Sequence, residues 1–305
     1  MAAGGYHGKY VRVDLATGEA STHSIPDRDL RRFLGGSGLG TWLLMRESPA
    51  GVDPLAPEAA VVIALSPLVG SPLTTSAKLA VVSKSPLTNR INDALSSDRF
   101  AIELKHAGMD ALVLVGAAPA WSVLVVDDGA VRLEDASDLV GRSAQAAEDA
   151  LIGRYGASYR FFGIGPAGEN LVRIATASGD GRHAGRGGTG AVLGSKQLKG
   201  VLVRGTAKAP VADRDAVLAL AKDLSQRSLG AGTAKYRELG TIANVLVMNR
   251  LGALPTRNFQ DGTFEGAAAI SGEAFQDDGP KVRKHCAACT IGCEHVFKTK
   301  DGAPV

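Results

Sequence analysis

The segment HCAACTIGCEH, residues 285–295, carries every cysteine of the chain: Cys286, Cys289 and Cys293, flanked by His285 and His295. Thiolate sulfur is a soft ligand, and C-x-x-C-x-x-x-C places three such ligands on one compact loop, which suits an iron–sulfur cluster or zinc. Zinc would be completed by His285 or His295, because Cys–His sets at short spacing are common tetrahedral sites. A cube of iron and sulfur wants a fourth cysteine, and the chain has only these three. On spacing alone the two metals stand level. An odd number of clustered thiols points to metal chemistry rather than a disulfide framework. The order of the spacings is the reverse of C-x-x-x-C-x-x-C, and no repeated βα units flank them, so radical S-adenosylmethionine chemistry is not indicated.

A second stretch, ASGDGRHAGRGGTGAVLGSKQLKG (177–200), could bind an anion. Gly179, Gly181, Gly185, Gly187, Gly188 and Gly190 free the backbone to turn its N–H groups onto a ligand. Arg182 and Arg186 add forked donors that match phosphate oxygens. A helix starting near Gly190 would favour the same charge. The loop is not a Walker motif, because Ala191 and Val192 follow Gly190 where Lys and Ser or Thr would be needed. No G-x-G-x-x-G with a matching acidic residue follows either. A phosphate-bearing ligand of another kind is implied.

The elements that must hold these groups alternate short apolar runs with turn signals. YVRVDL–ATGE–ASTHSI reads as a hairpin turning at Thr17-Gly18. AVVIAL (60–65), KLAVVS (78–83), ALVLVG (111–116), YRFFGIG (159–165), LVRIATAS (171–178) and GVLVRG (200–205) read as strands, and WSVLVVDDGAVRLE (121–134) as two. Helices are expected over 27–48, interrupted by Gly35, Gly36, Gly38 and Gly40, and over 143–156, with a Ser start and a Gly end. From Asp213 the pattern turns helical, in DRDAVLALAKDLSQRSL and TIANVLVMNRLGA. The expectation is an α+β fold: a sheet-rich base domain over 1–210 with antiparallel and mixed sheets, then the start of an α-helical domain over 211–305 bearing the cysteines. The hairpins argue against a doubly wound parallel sheet.

Composition narrows the function. With 45% hydrophobic and 21% charged residues and a net charge of +3, the chain has no basic stripe for nucleic acid. It has no apolar signal core and no run long enough for a membrane span, so the cytoplasm is the default.

Taken together, GRGGTGAVLGSKQLKG, GPAGENLVRIATASGDG, KLAVVSKSPLT, YHGKYVRVDLATGE, LGGSGLGTWLL, LPTRNFQ and the C-x-x-C-x-x-x-C spacing resemble the N-terminal half of the aldehyde:ferredoxin oxidoreductase family. The likeness runs from about residue 5 to the end. It implies a tungsten (or molybdenum) bis-pyranopterin with Mg2+ beside one [4Fe–4S] cluster, with Cys286, Cys289 and Cys293 as cluster ligands. The fourth cysteine would lie in a C-terminal part that these 305 residues do not include. Arg182, His183 and Gly185 stand at positions that contact the pterin phosphates and their magnesium, His183 in place of a usual alanine. Lys78 stands for an arginine between cluster and pterin, keeping the charge without the fork. Leu95, Ser96, Ser97 and Asp98 replace an Asn-x-Gly-Gly segment. Ser97 keeps a hydroxyl there, whereas the side chain of Leu95 has no ligand atom, which marks a divergent branch.

The resemblance implies oxidation of a small aldehyde with water to a carboxylic acid, electrons passing through pterin and cluster to ferredoxin or a similar acceptor. It also implies that these 305 residues, whether a fragment, a truncated reading frame or one half of an enzyme whose C-terminal half is a separate polypeptide, and whether or not they form a homo-oligomer, would alone be silent on aldehydes. No catalytic acid or base can be named, and Glu103, Asp110 and Glu169 read as structural or solvated. The rival readings are an acyl-CoA or carboxylic acid reductase of the same superfamily, a non-catalytic cluster-binding fragment, and a zinc module using the three cysteines with His295.

Overall fold

The computed structural model describes residues 4–276 and 281–297. The chain divides into two units, Met1–Ser71 with Ser76–Arg214, and Pro72–Thr75 with Asp215–Val305. The first is built on strands β1 (Lys9–Asp14), β2 (Glu19–Ser24), β3 (Val61–Leu65), β4 (Leu79–Lys84), β5 (Ile91–Ser96) and β6 (Ala111–Val115). They form one sheet in the order β2-β1-β6-β3-β4-β5, in which only β1 and β6 run parallel. A second sheet uses β7 (Ser122–Asp127), β8 (Ala130–Asp135), β9 (Arg160–Gly163), β10 (Ala177–Gly179), β11 (Arg182–Ala184) and β12 (Leu198–Arg204). Its order is β11-β10-β9-β12-β7-β8, with β12 and β7 parallel. Helices α1 (Asp27–Phe33), α2 (Gly36–Glu47), α3 (Arg99–His106), α4 (Ala144–Tyr155), α5 (Pro166–Glu169) and α6 (Thr189–Ser195) connect and cover them.

Strand periodicity builds the layers. Side chains alternate across a strand, so Val61, Ile63 and Leu65 join one core cluster while Val62 and Ala64 join another. Leu124, Val126, Val201 and Val203 meet the first cluster from the second sheet, while Val123, Val125 and Leu202 turn away onto α4. The central core therefore lies between the two sheets, with α1 and α2 outside one and α4 outside the other. Burying each valine, leucine or isoleucine among them contributes about 1.5–3 kcal/mol.

Several expectations need correction. The helix over 27–48 breaks at Leu34 (φ 60) and Gly35, where a Cβ would stand 2.5 Å from the Leu65 carbonyl; Gly38 and Gly40 lie inside α2 rather than interrupting it. Residues 171–176 are not a strand. The N–H groups of Leu171 and Val172 fold back onto the carbonyls of Gly168 and Ala167, which turns the chain, and only Ala177–Gly179 pairs. Residues 91–106, read without an element, form β5 and α3. Asn92 and Asp93 are poor strand formers, yet β5 pairs with β4 along its whole length. Asp98 caps α3 by accepting the Ala101 N–H.

The second unit holds α7 (Arg214–Ser228), α8 (Ala234–Glu238), α9 (Val245–Arg250) and the hairpin β13 (Lys281–Lys284)–β14 (Glu294–Phe297). The chain is an α+β protein, and no helix among the described residues is long and apolar enough to cross a membrane.

Candidate functional site

In the first unit, Lys78 enters β4 and Ser97 leaves β5, one step beyond the pair Leu79–Ser96. Lys78 Nζ donates to Ser97 Oγ at 2.7 Å, and the lysine is exposed. Leu95 lies two residues earlier in β5, 55% exposed.

Beside β5 packs β11, the strand of Arg182 and His183. It is reached through a tight β10–β11 turn at Asp180 (φ 51) and Gly181 (φ 67). The turn is gripped from two sides. The Asp180 N–H donates to both carboxylate oxygens of Glu148 on α4, at 3.2 and 3.0 Å. Asp180 Oδ2 accepts the N–H of Arg99 at 3.4 Å. Further along, Asn92 on β5 donates from Nδ2 to the Arg186 carbonyl at 3.0 Å. The glycine-rich segment is thus bonded once to edge strand β5 and, at its turn, to α3 and α4, which brings Lys78, Ser97, Arg182, His183 and Gly185 onto neighbouring elements.

The glycines divide by cause. Gly187 (φ 73) and Gly188 (φ 77) are demanded by the fold: a Cβ would lie 2.1 Å from Asn92 at the first and 2.2 Å from the Arg173 carbonyl at the second. Gly185 is different. Its backbone is not left-handed, and a Cβ there would meet nothing within 4 Å. Neither strain nor packing calls for glycine at that position, and the space over it is open to a ligand. The helix expected to help is weaker than anticipated, because the Gly190 N–H at its start already donates to the Ala175 carbonyl at 3.0 Å.

Charge is concentrated behind the loop. Burial pushes the Asp98 carboxyl up to about 6 and that of Glu148 up to about 7, each raised further by neighbouring Asp180. Glu148 sits at a cavity of about 330 Å³ that is also lined by Ser143, Gly165, Ser178, Gly181 and His183. The His183 ring is tied through Nδ1 to Ser178 Oγ at 2.6 Å. The other acidic residues hold structure: Asp110 pairs with buried Lys105 at 2.5 Å, Glu169 with buried Lys199, and Glu103 accepts the Gly205 N–H.

The cysteines lie in the second unit, on the loop between β13 and β14. Cys286, Cys289 and Cys293 are half-buried, and none is in a disulfide. The loop is shaped by Ala288 (φ 52), by Gly292 (φ 63) and by the Cys289 N–H donating to the Cys286 carbonyl at 3.2 Å. It is anchored within the same unit by Thr75, whose N–H donates to the Ala288 carbonyl at 2.6 Å, and by Thr74 Oγ1, which accepts the Thr290 N–H at 3.1 Å. His285 donates from Nδ1 to the Cys289 carbonyl, and His295 from Nε2 to the Arg237 carbonyl. No group of three His, Cys, Asp or Glu side chains among the described residues is arranged to hold a metal ion. The donor chemistry fits a thiolate-bound metal; the sulfurs are not gathered around one.

Sequence spacing missed Glu148, Asp180 and Asn92. Each acts on backbone groups of the site from outside the glycine-rich motif or as an unremarkable turn residue, and no local signal marks it.

Residues 10–205 match the model described as aldehyde ferredoxin oxidoreductase, N-terminal domain, and residues 219–304 that of aldehyde ferredoxin oxidoreductase, domains 2 & 3. The tungsten-containing aldehyde ferredoxin oxidoreductase of Pyrococcus furiosus is 38% identical over 299 residues, 96% of this chain and 49% of that one. An aliphatic sulfonate oxidoreductase, WOR-like subunit, of the same organism is 31% identical over 318 residues, 97% of this chain and 50% of that one. Among solved structures, the active site complex BamBC of benzoyl coenzyme A reductase with 1,5-dienoyl-CoA aligns with a TM-score of 0.81 at 27% identity, over 98% of this chain and 48% of that chain. The chain spans about half the length of the curated relatives it matches. The domain models and the first relative agree across nearly the whole sequence: the chain belongs to the aldehyde ferredoxin oxidoreductase family.

Proposed function

We propose that this chain holds the phosphate end of a tungsten- or molybdenum-bearing bis-pyranopterin and three ligands of a [4Fe–4S] cluster, as part of an enzyme that converts an aldehyde and water to a carboxylic acid. The balance is RCHO + H2O → RCOOH + 2 H+ + 2 e−, with a ferredoxin-type protein taking the electrons in the cytoplasm. The pterin-bound metal, when present, supplies the two-electron chemistry.

The residues of the chain bind and orient. Arg182 and Lys78 offset phosphate charge, Ser97 fixes the Lys78 ammonium, and Gly185 leaves the backbone open for close approach. His183 would turn its backbone carbonyl to magnesium, a hard cation that prefers oxygen. The side chain of Leu95 offers no oxygen. Cys286, Cys289 and Cys293 would bind iron as thiolates once the loop closes on it.

The observation that carries the reading is the placement of Arg182, His183 and the open Gly185 on a segment bonded to β5, the strand that leads into Ser97, whose hydroxyl holds Lys78. It is tested by purifying the 305-residue chain without oxygen after expression with tungstate or molybdate. The expected result is pterin fluorescence after acid extraction, together with iron and broad visible absorption. Arg182→Ala should lower the pterin content more than Arg186→Ala. A colourless protein with stoichiometric zinc and no pterin would replace this reading with the zinc module.

A second reading, the acyl-CoA reductase branch, is supported by the overlap with the benzoyl coenzyme A reductase complex. It predicts binding of a coenzyme A thioester by the loaded protein, which aldehyde oxidation does not require.

A further inference from the structure

The glycine-rich loop is flexible by composition, yet a phosphate site works only if its donors are already in place. Glu148 supplies a grip from outside the loop. It projects from α4, whose first turn is capped by Ser143 accepting the Ala146 N–H at 3.1 Å, so the helix is a fixed platform. The glutamate is 4% exposed, and both of its oxygens accept the one Asp180 N–H. Asp180 sits in a left-handed turn at φ 51, two residues before Arg182, and its own carboxylate accepts the N–H that opens α3. Release of the Asp180 N–H would leave the turn only its 3.4 Å bond from Arg99 and the short β10–β11 ladder, and β11 would loosen with it.

We propose that Glu148 is a positioning residue: by holding the Asp180 amide it presets the β10–β11 hairpin, so that Arg182 is aimed at its anion before the anion arrives. The inference rests on the reading of Arg182 as a phosphate ligand. Glu148 acts through the amide and not on the anion, which its carboxylate, once ionised above about pH 7, would repel. The role therefore belongs to the hydrogen bond and not to the charge.

That distinction sets the test. Pyrophosphate is titrated at a pH of about 8, where Glu148 is ionised, into the 305-residue chain and into its Glu148→Gln, Glu148→Asp and Glu148→Ala variants, with amide hydrogen exchange followed at residues 177–186. Glutamine keeps an acceptor oxygen at the same reach and loses the repulsion, so its affinity should equal or exceed that of the parent. Aspartate keeps the charge but is one methylene short, so it should bind about tenfold more weakly, like alanine, with Asp180 exchange about tenfold faster. A role confined to general stability would not give rescue by glutamine alongside failure of aspartate. Parent-like affinity and parent-like Asp180 exchange in Glu148→Asp would overturn the proposal, and that variant keeps the test open should alanine unfold. If the parent chain ignores pyrophosphate while exchange still follows the predicted order, the phosphate reading of Arg182 fails and the grip on the hairpin stands alone.

Discussion

Gly187→Ala tests whether edge strand and glycine loop are held by the contact described above. The residue has φ 73, a conformation that costs an L side chain about 1–2 kcal/mol. A Cβ would also stand 2.1 Å from Cγ and Oδ1 of Asn92, so that side chain must leave. Its departure removes the bond from Nδ2 to the Arg186 carbonyl, worth about 1 kcal/mol net. The sum is about 2–3 kcal/mol, which at about 2–4 °C per kcal/mol lowers the thermal midpoint by about 4–12 °C. A double-mutant cycle isolates the cause. Asn92→Ala alone should cost about 1 kcal/mol, the lost hydrogen bond. Because Gly187→Ala already breaks that bond, the double variant should cost no more than Gly187→Ala by itself, a coupling of about 1 kcal/mol between neighbours. Urea unfolding of the four proteins, followed by near-ultraviolet circular dichroism, measures all terms. Strict additivity of the two single effects would refute the stitch between Asn92 and the loop, and leave only backbone strain at Gly187.

Two further outcomes follow from buried charge. Asp110→Ala should destabilise the chain by about 3–5 kcal/mol, because Lys105 is 1% exposed and would keep an unpaired ammonium while the N–H groups of His7 and Gly8 lose their acceptor; a loss under about 1 kcal/mol in urea unfolding would show that this pair is not what fixes the N-terminal segment. Asp98 and Glu148, with carboxyls raised to about 6 and about 7, keep their protons in the folded chain when the unfolded chain has released them. Stability should therefore fall as pH rises through about 4 to 7 and level off above, by about 1–3 kcal/mol for each group, and Glu148→Gln should flatten the upper part of the slope. Denaturation midpoints from pH 5 to 8 check this, and a slope unchanged by Glu148→Gln contradicts it.

How much could be read in advance depended on whether the cause was local. Strands such as Val61–Leu65 and Ala111–Val115 are buried on both faces, and their apolar runs are continuous enough to stand out from turn residues on either side. The helix over Ala144–Tyr155 carries its own start and stop, a capping serine and a terminal glycine. Edge strand β5 is the opposite case. Only Ala94 and Ser96 of its six residues are buried, so its sequence INDALS has almost no inward face to show, and its pairing is decided by the neighbour β4. The run LVRIATAS misled because its apolar residues suggest a strand while Leu171, Val172 and Ile174 in fact face solvent on a turn.

The site divides along the same line. Glycines, arginines and cysteines at short spacing are visible as motifs, since the chemistry they could do depends on neighbours in the chain. What holds them is not visible, because Glu148 reaches a backbone amide 32 residues away and Asn92 a carbonyl 94 residues away. A side chain that bonds to the backbone leaves no constraint on the identity of its partner, so nothing at Asp180 or Arg186 advertises the contact. Gly185 shows the converse. Its type is explained neither by φ nor by a close neighbour, as is also true of Gly153 and Gly232, so the open space admits a ligand at Gly185 without demanding one. The phosphate reading therefore draws its weight from the company Gly185 keeps, with Arg182 and Arg186 on the same segment and Lys78 and Ser97 at the ends of the strands beside it, whereas Gly187 and Gly188 are explained by packing alone.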